Sequence, residues 1–375
     1  MAHAYTPGLK VLHETKVIKE RRLPLKGDVL RKKGEMVKPD EIVAKTYLPG
    51  NVQMVNVANL LNIDAADIAD VMKVKKGEKF ETNHLIAETP GLFGLFKSKV
   101  LAPVSGTLES FSDITGQVVL REAPIPVEMD AYISGKVKEI IPDEGVYITT
   151  DAAFIQGIFG IGGESRGDLK VITNTREEAI TSDMLDSSLA GKAVVGGSHI
   201  SLETYKKAIS LKIAAIVVGG FNYSDLKPIL GYTLGVAITG SENLGTSLIV
   251  TEGFGKINMG SRTFDLLKKH DGHFVSVNGA TQIRAGVIRP EIVIPLKSDK
   301  ITGKHKDINT SLGITKGSLI RIIRAPYFGK IGEVLSLPNK LQKMESETMV
   351  RVAEVNVGGK YLIVPRANLE MVETD

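Results

Sequence analysis

Residues 75–111 read KKGEKFETNHLIAETPGLFGLFKSKVLAPVSGTLESF, and a partial copy precedes them at residues 32–57, KKGEMVKPDEIVAKTYLPGNVQMVNV. At a fixed offset of 43 (75 − 32), Lys32/Lys75, Lys33/Lys76, Gly34/Gly77, Glu35/Glu78 and Ala44/Ala87 are identical, while Ile42/Leu85 and Val43/Ile86 are conservative pairs. The unit reads as strand, tight turn, strand. Gly34 and Gly77 fall where a turn calls for positive φ, and apolar residues follow at Met36, Ile42 and Ala44 or at Phe80, Leu85 and Ala87. Each copy then meets a Pro-Gly element, residues 48–52 (LPGNV) in the first and 102–108 (APVSGTL) in the second. A third fragment, residues 133–137 (ISGKV) leading to 145–148 (GVYI), reads as the closing strands. Short strands with regularly spaced glycine turns predict a small all-β sandwich or barrel over residues 8–150. Between the copies, residues 58–72 (ANLLNIDAADIADVM) have an Asn/Asp-rich start and apolar spacing that predict a short capping helix.

The length of 375 residues exceeds one ordinary core and predicts two to three domains. Hydrophobic residues at 43% and charged residues at 24% are those of a globular protein rather than a disordered or membrane one. Without cysteine, disulfides, thiolate metal sites and a cysteine nucleophile are excluded. The first residues carry no apolar h-region, and no run approaches the roughly 18 apolar residues of a membrane span, so a cytoplasmic protein without a membrane span is expected. The formal charge of +4 resides in residues 297–375, which hold 13 Lys and Arg against 9 Asp and Glu. No tryptophan and 5% aromatics speak against a base-stacking platform.

After Asp151 the pattern changes. Residues 154–163 (FIQGIFGIGG) read as a strand crossing rather than a phosphate cradle, because no Lys-Ser/Thr follows. From Lys192 short apolar strands alternate with short helices, one of them over residues 202–211 with Ser201 as its N-cap. This predicts an α/β domain at residues 165–296 with a mainly parallel sheet, resembling small α/β sandwiches of the swivelling-domain type. Its strands end in Gly196, Gly197 and Ser198, in Gly219 and Gly220, in Thr239 and Gly240, and at Glu252. Those positions gather at the carboxyl edge, where such sheets bind ligands, and the helix after Ser198 offers N–H groups to an anion. With His199 nearby, Glu252 leaves an acid–base pair open. Equally, glycine is what any tight turn uses, and neither G-x-G-x-x-G nor a P-loop is present. Residues 270–273 (HDGH) read as a helix C-cap rather than a metal site, since Gly272 separates the imidazoles. Arg284 and Arg289 flank a glycine turn, suited to an anion or to neighbouring acids. Residues 297–311 form a polar, basic linker.

Residues 317–324 (GSLIRIIR) alternate as a strand, and residues 325–334 (APYFGKIGEV) follow as a turn and second strand. A lead glycine, a strand and then G-x-x-G-x-V resemble the KOW element of ribosomal proteins and transcription elongation factors, which implies a small SH3-like barrel over residues 312–375. Arg321, Arg324, Tyr327 and Lys330 around that turn are what a phosphate backbone or a protein partner would meet. The pattern K-K-G-E…I-A-E…A-P-V-S-G-T-L in turn resembles the barrel-sandwich hybrid of biotinyl and lipoyl carriers. It is also similar to the prosthetic-group-free relatives in electron-transport subunits and the largest RNA polymerase subunit. By that resemblance the carrier lysine falls at Leu95, and Lys97 is two residues out of register, so no cofactor is expected. The tip instead holds Leu92, Phe93, Leu95 and Phe96, which either fold back onto a neighbouring domain or form a docking knob for a partner protein or membrane surface.

The sequence thus predicts a multidomain α/β and all-β chain: barrel-sandwich hybrid, small α/β sandwich, C-terminal SH3-like (KOW) barrel. The function expected is that of a non-enzymatic adaptor on RNA, a ribonucleoprotein or a transcription machine, with protein partners and with no catalytic residue or metal. The alternative is an enzyme or sensor that takes a small anionic or phosphorylated ligand at the glycine-rich strand ends.

Overall fold

The computed structural model describes residues 9–91, 97–232, 239–240, 242–282, 288–296, 314–322, 326–327, 330–338, 340–344 and 349–373. The chain is mostly β and is organised by one long strand, Leu9–Arg22. That strand pairs antiparallel with Gly145–Gln156 from Val11↔Ile155 to Arg22↔Gly145, with a bulge between Leu12 and Thr15. Its first residues also pair in parallel with Leu369–Glu373, through Leu9↔Val372 and Lys10↔Glu373. Among the described residues one sheet of 16 strands therefore runs through all three parts of the chain.

In the middle part, Glu164–Val171, Ala193–Val195, Ala215–Phe221 and Ser247–Phe254 are parallel neighbours. The apolar runs of the last three are buried on both faces, as parallel strands covered on two sides must be. Helix Ser261–Lys269 places Phe264, Leu266 and Leu267 against Val195, Val217 and Ile249. Helix Leu202–Ser210 covers the other face with Tyr205 and Ala208 against Val194, Ile216 and Val218. Its predicted cap is in place, with Ser201 Oγ accepting from the Thr204 N–H. Phe274–Asn278 and Glu291–Pro295 continue the sheet antiparallel and join it to Gly145–Gln156.

The two copies of the repeat fold alike. Gly34 and Gly77 have φ of +90° and +81°. The Lys32 and Lys75 N–H groups donate to Glu35 and Glu78 at 2.9 and 2.8 Å. The second copy meets residues 102–108 as expected, whereas the first is closed by the third fragment rather than by its own Pro-Gly element. Met36–Val37 pairs with Lys136 and Gly135, and Lys79–Phe80 pairs with Thr107 and Gly106. The fragment at residues 133–137 is thus the first copy's counterpart of residues 104–108, at an offset of 29 (135 − 106). The hairpins that follow match as well: Ala44↔Met129 and Ile42↔Asp130 against Ala87↔Val100 and Leu85↔Leu101, with a bulge at the same place in each. The second unit is therefore inserted at the hairpin tip of the first, and residues 48–52 lead into it. Each unit keeps its own core. Val17, Val37, Val43, Ile133, Val137 and Ile148 form one, and Val57, Ile68, Phe80, Ile86, Leu108 and Leu120 form the other. The helix expected over residues 58–72 is broken into Val57–Leu61, a 3-10 turn at Ala65–Asp67 and Ile68–Val71. Asn62 ends the first piece with φ +53°.

The C-terminal strands run in the order Leu369–Glu373, Leu319–Ile322, Ile331–Ser336, Val352–Val357, Lys360–Pro365. They enclose Ile320, Ile322, Val334, Val355 and Val364. Instead of closing into a barrel among the described residues, this sheet stays open and continues into Leu9–Arg22.

Candidate functional site

The carboxyl edge of the parallel strands is filled by the protein's own backbone. A Cβ on Gly197 would lie 2.3 Å from Thr175 O, one on Gly219 2.3 Å from Ile257 O, and one on Gly220 2.1 Å from Gly255 O. A Cβ on Gly196 would meet the Ile180 side chain at 2.3 Å. The Gly197 and Ser198 N–H groups, the pair best placed for an anion, both donate to Glu178 O, at 3.1 and 2.9 Å. Thr239 Oγ1 donates to Gly160 O at 2.8 Å, and the Gly240 N–H to Glu242 Oε2 at 2.7 Å. These glycines let loops at residues 173–178 and 255–260 press onto the strand ends, which accounts for them by close approach.

Glu252 is likewise engaged. Its side chain is 7% exposed, Oε1 accepts from the Gly260 N–H at 2.9 Å, and Oε2 accepts from Arg321 Nη1 at 2.5 Å. Neither oxygen is left for His199, whose imidazole is buried and held below the usual histidine range, first by burial and then by Lys256. Arg321 was expected at the surface; its side chain is 5% exposed. Beside it Arg289 Nη2 donates to Glu370 Oε1 at 2.9 Å. Burial raises the Glu370 carboxyl above the usual range, against the lowering pull of the two arginines. These four charges pin the C-terminal strands to the α/β part.

Of the other expected contact residues, Tyr327 is half-buried, Lys330 is exposed with Nζ 5.6 Å above the Tyr327 ring, and Arg324 lies outside the described residues. Leu92, Phe93, Leu95 and Phe96 lie outside them too. The hairpin that bears them is described up to its stem: the Thr89 N–H donates to Ser98 O at 3.0 Å, and Lys97 pairs with Glu88 at 3.3 Å. The His270 and His273 rings meet edge to face with centroids 5.1 Å apart. Among the described residues no group of three or more His, Asp or Glu side chains is placed to hold a metal ion, and no helix is long and apolar enough to cross a membrane.

A second, partly buried ion network joins the outer unit to the α/β part. Arg21 donates to both Glu164 oxygens at 2.7 and 3.0 Å and to Asp130 Oδ1 at 2.9 Å, and Arg166 binds the other Asp130 oxygen. Under Arg21 lies Tyr132, fully buried at φ +63°, a conformation rare for a bulky residue. Its N–H donates to Pro39 O at 2.9 Å, and its carbonyl accepts from Ser276 Oγ at 2.5 Å. Burial pushes its phenol well above the usual range.

The surface that sequence reasoning passed over lies on the inserted unit, residues 52–122. It stands on the two strands Ile42–Leu48 and Ile125–Asp130. Its large apolar side chains face solvent at Val52, Met54 (59% exposed), Leu60 (64%) and Ile114 (86%). The available signal was compositional: residues 51–72 contain no Lys or Arg. Compared with known proteins, the chain matches no protein-family profile and no curated protein.

Proposed function

We propose that the chain is a non-enzymatic adaptor that holds a protein partner through the inserted unit, with the long sheet as its rigid base. The observation that carries this reading is the contrast between the two candidate surfaces. The glycine strand ends are occupied by backbone, whereas the inserted unit turns its exposed apolar side chains outward on a two-stranded stalk. On this reading the likeness of residues 8–150 to barrel-sandwich hybrids, and of residues 312–375 to KOW barrels, reflects modules used for assembly. The Arg321–Glu252 and Arg289–Glu370 pairs make the C-terminal module part of the base.

The stalk offers a clean test. Leu48 and Ile125 are paired neighbours, so residues 49–124 can be replaced by an Asn-Gly turn without disturbing the base. Capture from native cells by the full chain is expected to survive nuclease treatment and to be lost on excision. A second reading, RNA contact by the C-terminal module, rests on exposed Lys330 over Tyr327. Capture abolished by nuclease and indifferent to the excision would select it instead.

A further inference from the structure

Strand Val52–Asn56 is the edge of the four-stranded sheet of the inserted unit. Among the described residues it pairs only with Gln117–Glu122, through Val52↔Arg121, Met54↔Val119 and Asn56↔Gln117. The Glu122 N–H donates to Asn51 O at 2.9 Å, which sets the phase of the ladder. Residues 51, 53 and 55 bond inward, and the N–H and C=O groups of Val52 and Met54 point away from the sheet. Natural edges are guarded by charge, proline or a bulge. An edge of the long sheet, Lys360–Pro365, begins with lysine and ends with proline. Val52–Asn56 reads VQMVN and has no guard.

The surroundings define what would fit. The end of the strand, the following helix and the turn at residues 112–116 meet in one place: the Ala58 N–H donates to Gly116 O at 3.1 Å. A Cβ on Gly116 would touch Ala58 Cβ and come within 3.5 Å of Ala65 Cβ. The helix and the turn therefore stand at the Asn56 end of the edge strand, with Leu60 exposed on the helix, Ile114 and Asp113 on the turn, and Asp64 and Asp67 on the segment after the helix. Residues 51–72 and 104–120 contribute no Lys or Arg to this end of the unit. Arg121, opposite Val52, is itself bonded to Glu109 at 2.5 Å, so among the described residues this end combines an open ladder, exposed apolar side chains and an excess of aspartate.

Resting on the adaptor reading, the geometry points to a partner of one chemistry: an extended, Lys/Arg-bearing protein segment with alternating apolar residues that adds as a strand to Val52–Asn56. Backbone bonds to Val52 and Met54 would supply the ladder, Met54 and Ile114 the apolar contacts, and the aspartates the charge selection. A second copy of this chain fits poorly, because edge-to-edge pairing would bring two acid-rimmed ends together while each Arg121 is already held by its own Glu109. A polyanion is repelled for the same reason.

The test uses the full chain and a dye-labelled short peptide alternating valine and lysine, followed by fluorescence anisotropy at low and high salt. Binding is expected to be at least about tenfold tighter than for the peptide with glutamate in place of lysine, and to weaken as salt rises. Met54→Pro removes only an outward-facing donor, so the unit should keep its own ladder and lose about tenfold in affinity. Ile114→Lys, on a turn where folding is not at stake, should weaken binding comparably. Equal binding of the two peptides, or affinity unchanged in both variants, overturns the inference. Self-association of the chain that is lost in Met54→Pro would assign the edge to a second copy instead. If excision of residues 49–124 abolishes partner capture but Met54→Pro does not, the edge inference fails while the adaptor reading stands. If excision changes nothing, both fail.

Discussion

At Arg321 the alternation of residues 317–324 is informative and still misleads. It correctly sets Arg321 on the face opposite the buried Ile320 and Ile322. It does not reveal that Glu252, 69 residues earlier in the chain, covers that face. A strand's own pattern says which way a side chain points, not what waits there. Removing one partner leaves a buried charge uncompensated, so Arg321→Met should cost about 3–5 kcal/mol in urea unfolding. The double variant Arg321→Met/Glu252→Met should recover most of that loss. If the single and double variants proved equally unstable, the pair would not be what holds this seam. Glu370 gives a pH dependence of unusual sign. Its folded-state pKa is raised, so the folded state binds more protons than the unfolded one above the ordinary glutamate value of about 4.3. This group's stabilising effect is therefore greatest at low pH and fades as pH rises through the raised value. Relative to Glu370→Gln, the native chain should gain stability on acidification from neutrality toward pH ~5. Unfolding midpoints that run parallel across that range would contradict the assignment.

At the scale of elements, the repeat itself was legible because each copy needs the same turn. Gly34 and Gly77 both require positive φ, and Glu35 and Glu78 bond back to the same backbone position. A Cβ on Gly77 would find nothing within 4 Å, and one on Gly34 only Lys136 Cε at 3.7 Å. Alanine at either site should therefore cost about 1–2 kcal/mol of backbone strain and little else. Hydrogen exchange should show the Gly77→Ala loss confined to residues 52–122 and leave the outer unit protected; loosening that spread into the base would argue against two separate cores. That residues 133–137 are closing strands was legible; that they close the first copy was not, because they lie beyond an entire second unit. Likeness between residues 104–108 and 133–137 was in the sequence, but pairing register is a property of two strands and neither fixes it alone. The glycine strand ends were misleading for a related reason. The same residue serves a ligand's close approach and a loop's, and only the loops at residues 173–178 and 255–260 separate the two cases.

For the whole molecule, three parts that the sequence presents in succession share one sheet, because Leu9–Arg22 pairs both with Gly145–Gln156 and with Leu369–Glu373. Ending the chain after Arg366 would remove the strand that lies between Leu9–Arg22 and Leu319–Ile322. The C-terminal strands should then become sensitive to limited proteolysis, with the α/β part retained; unchanged resistance would show that the ion pairs suffice. The nested repeat carries a mechanical consequence. A load applied to the inserted unit reaches the base only through Ile42–Leu48 and Ile125–Asp130, whose outer ends, Leu48 and Ile125, sit side by side. Tension there peels the stalk one rung at a time rather than shearing all its rungs together. The joint should yield before the base is disturbed, which makes it a weak link that spares the remainder when whatever is gripped is pulled away.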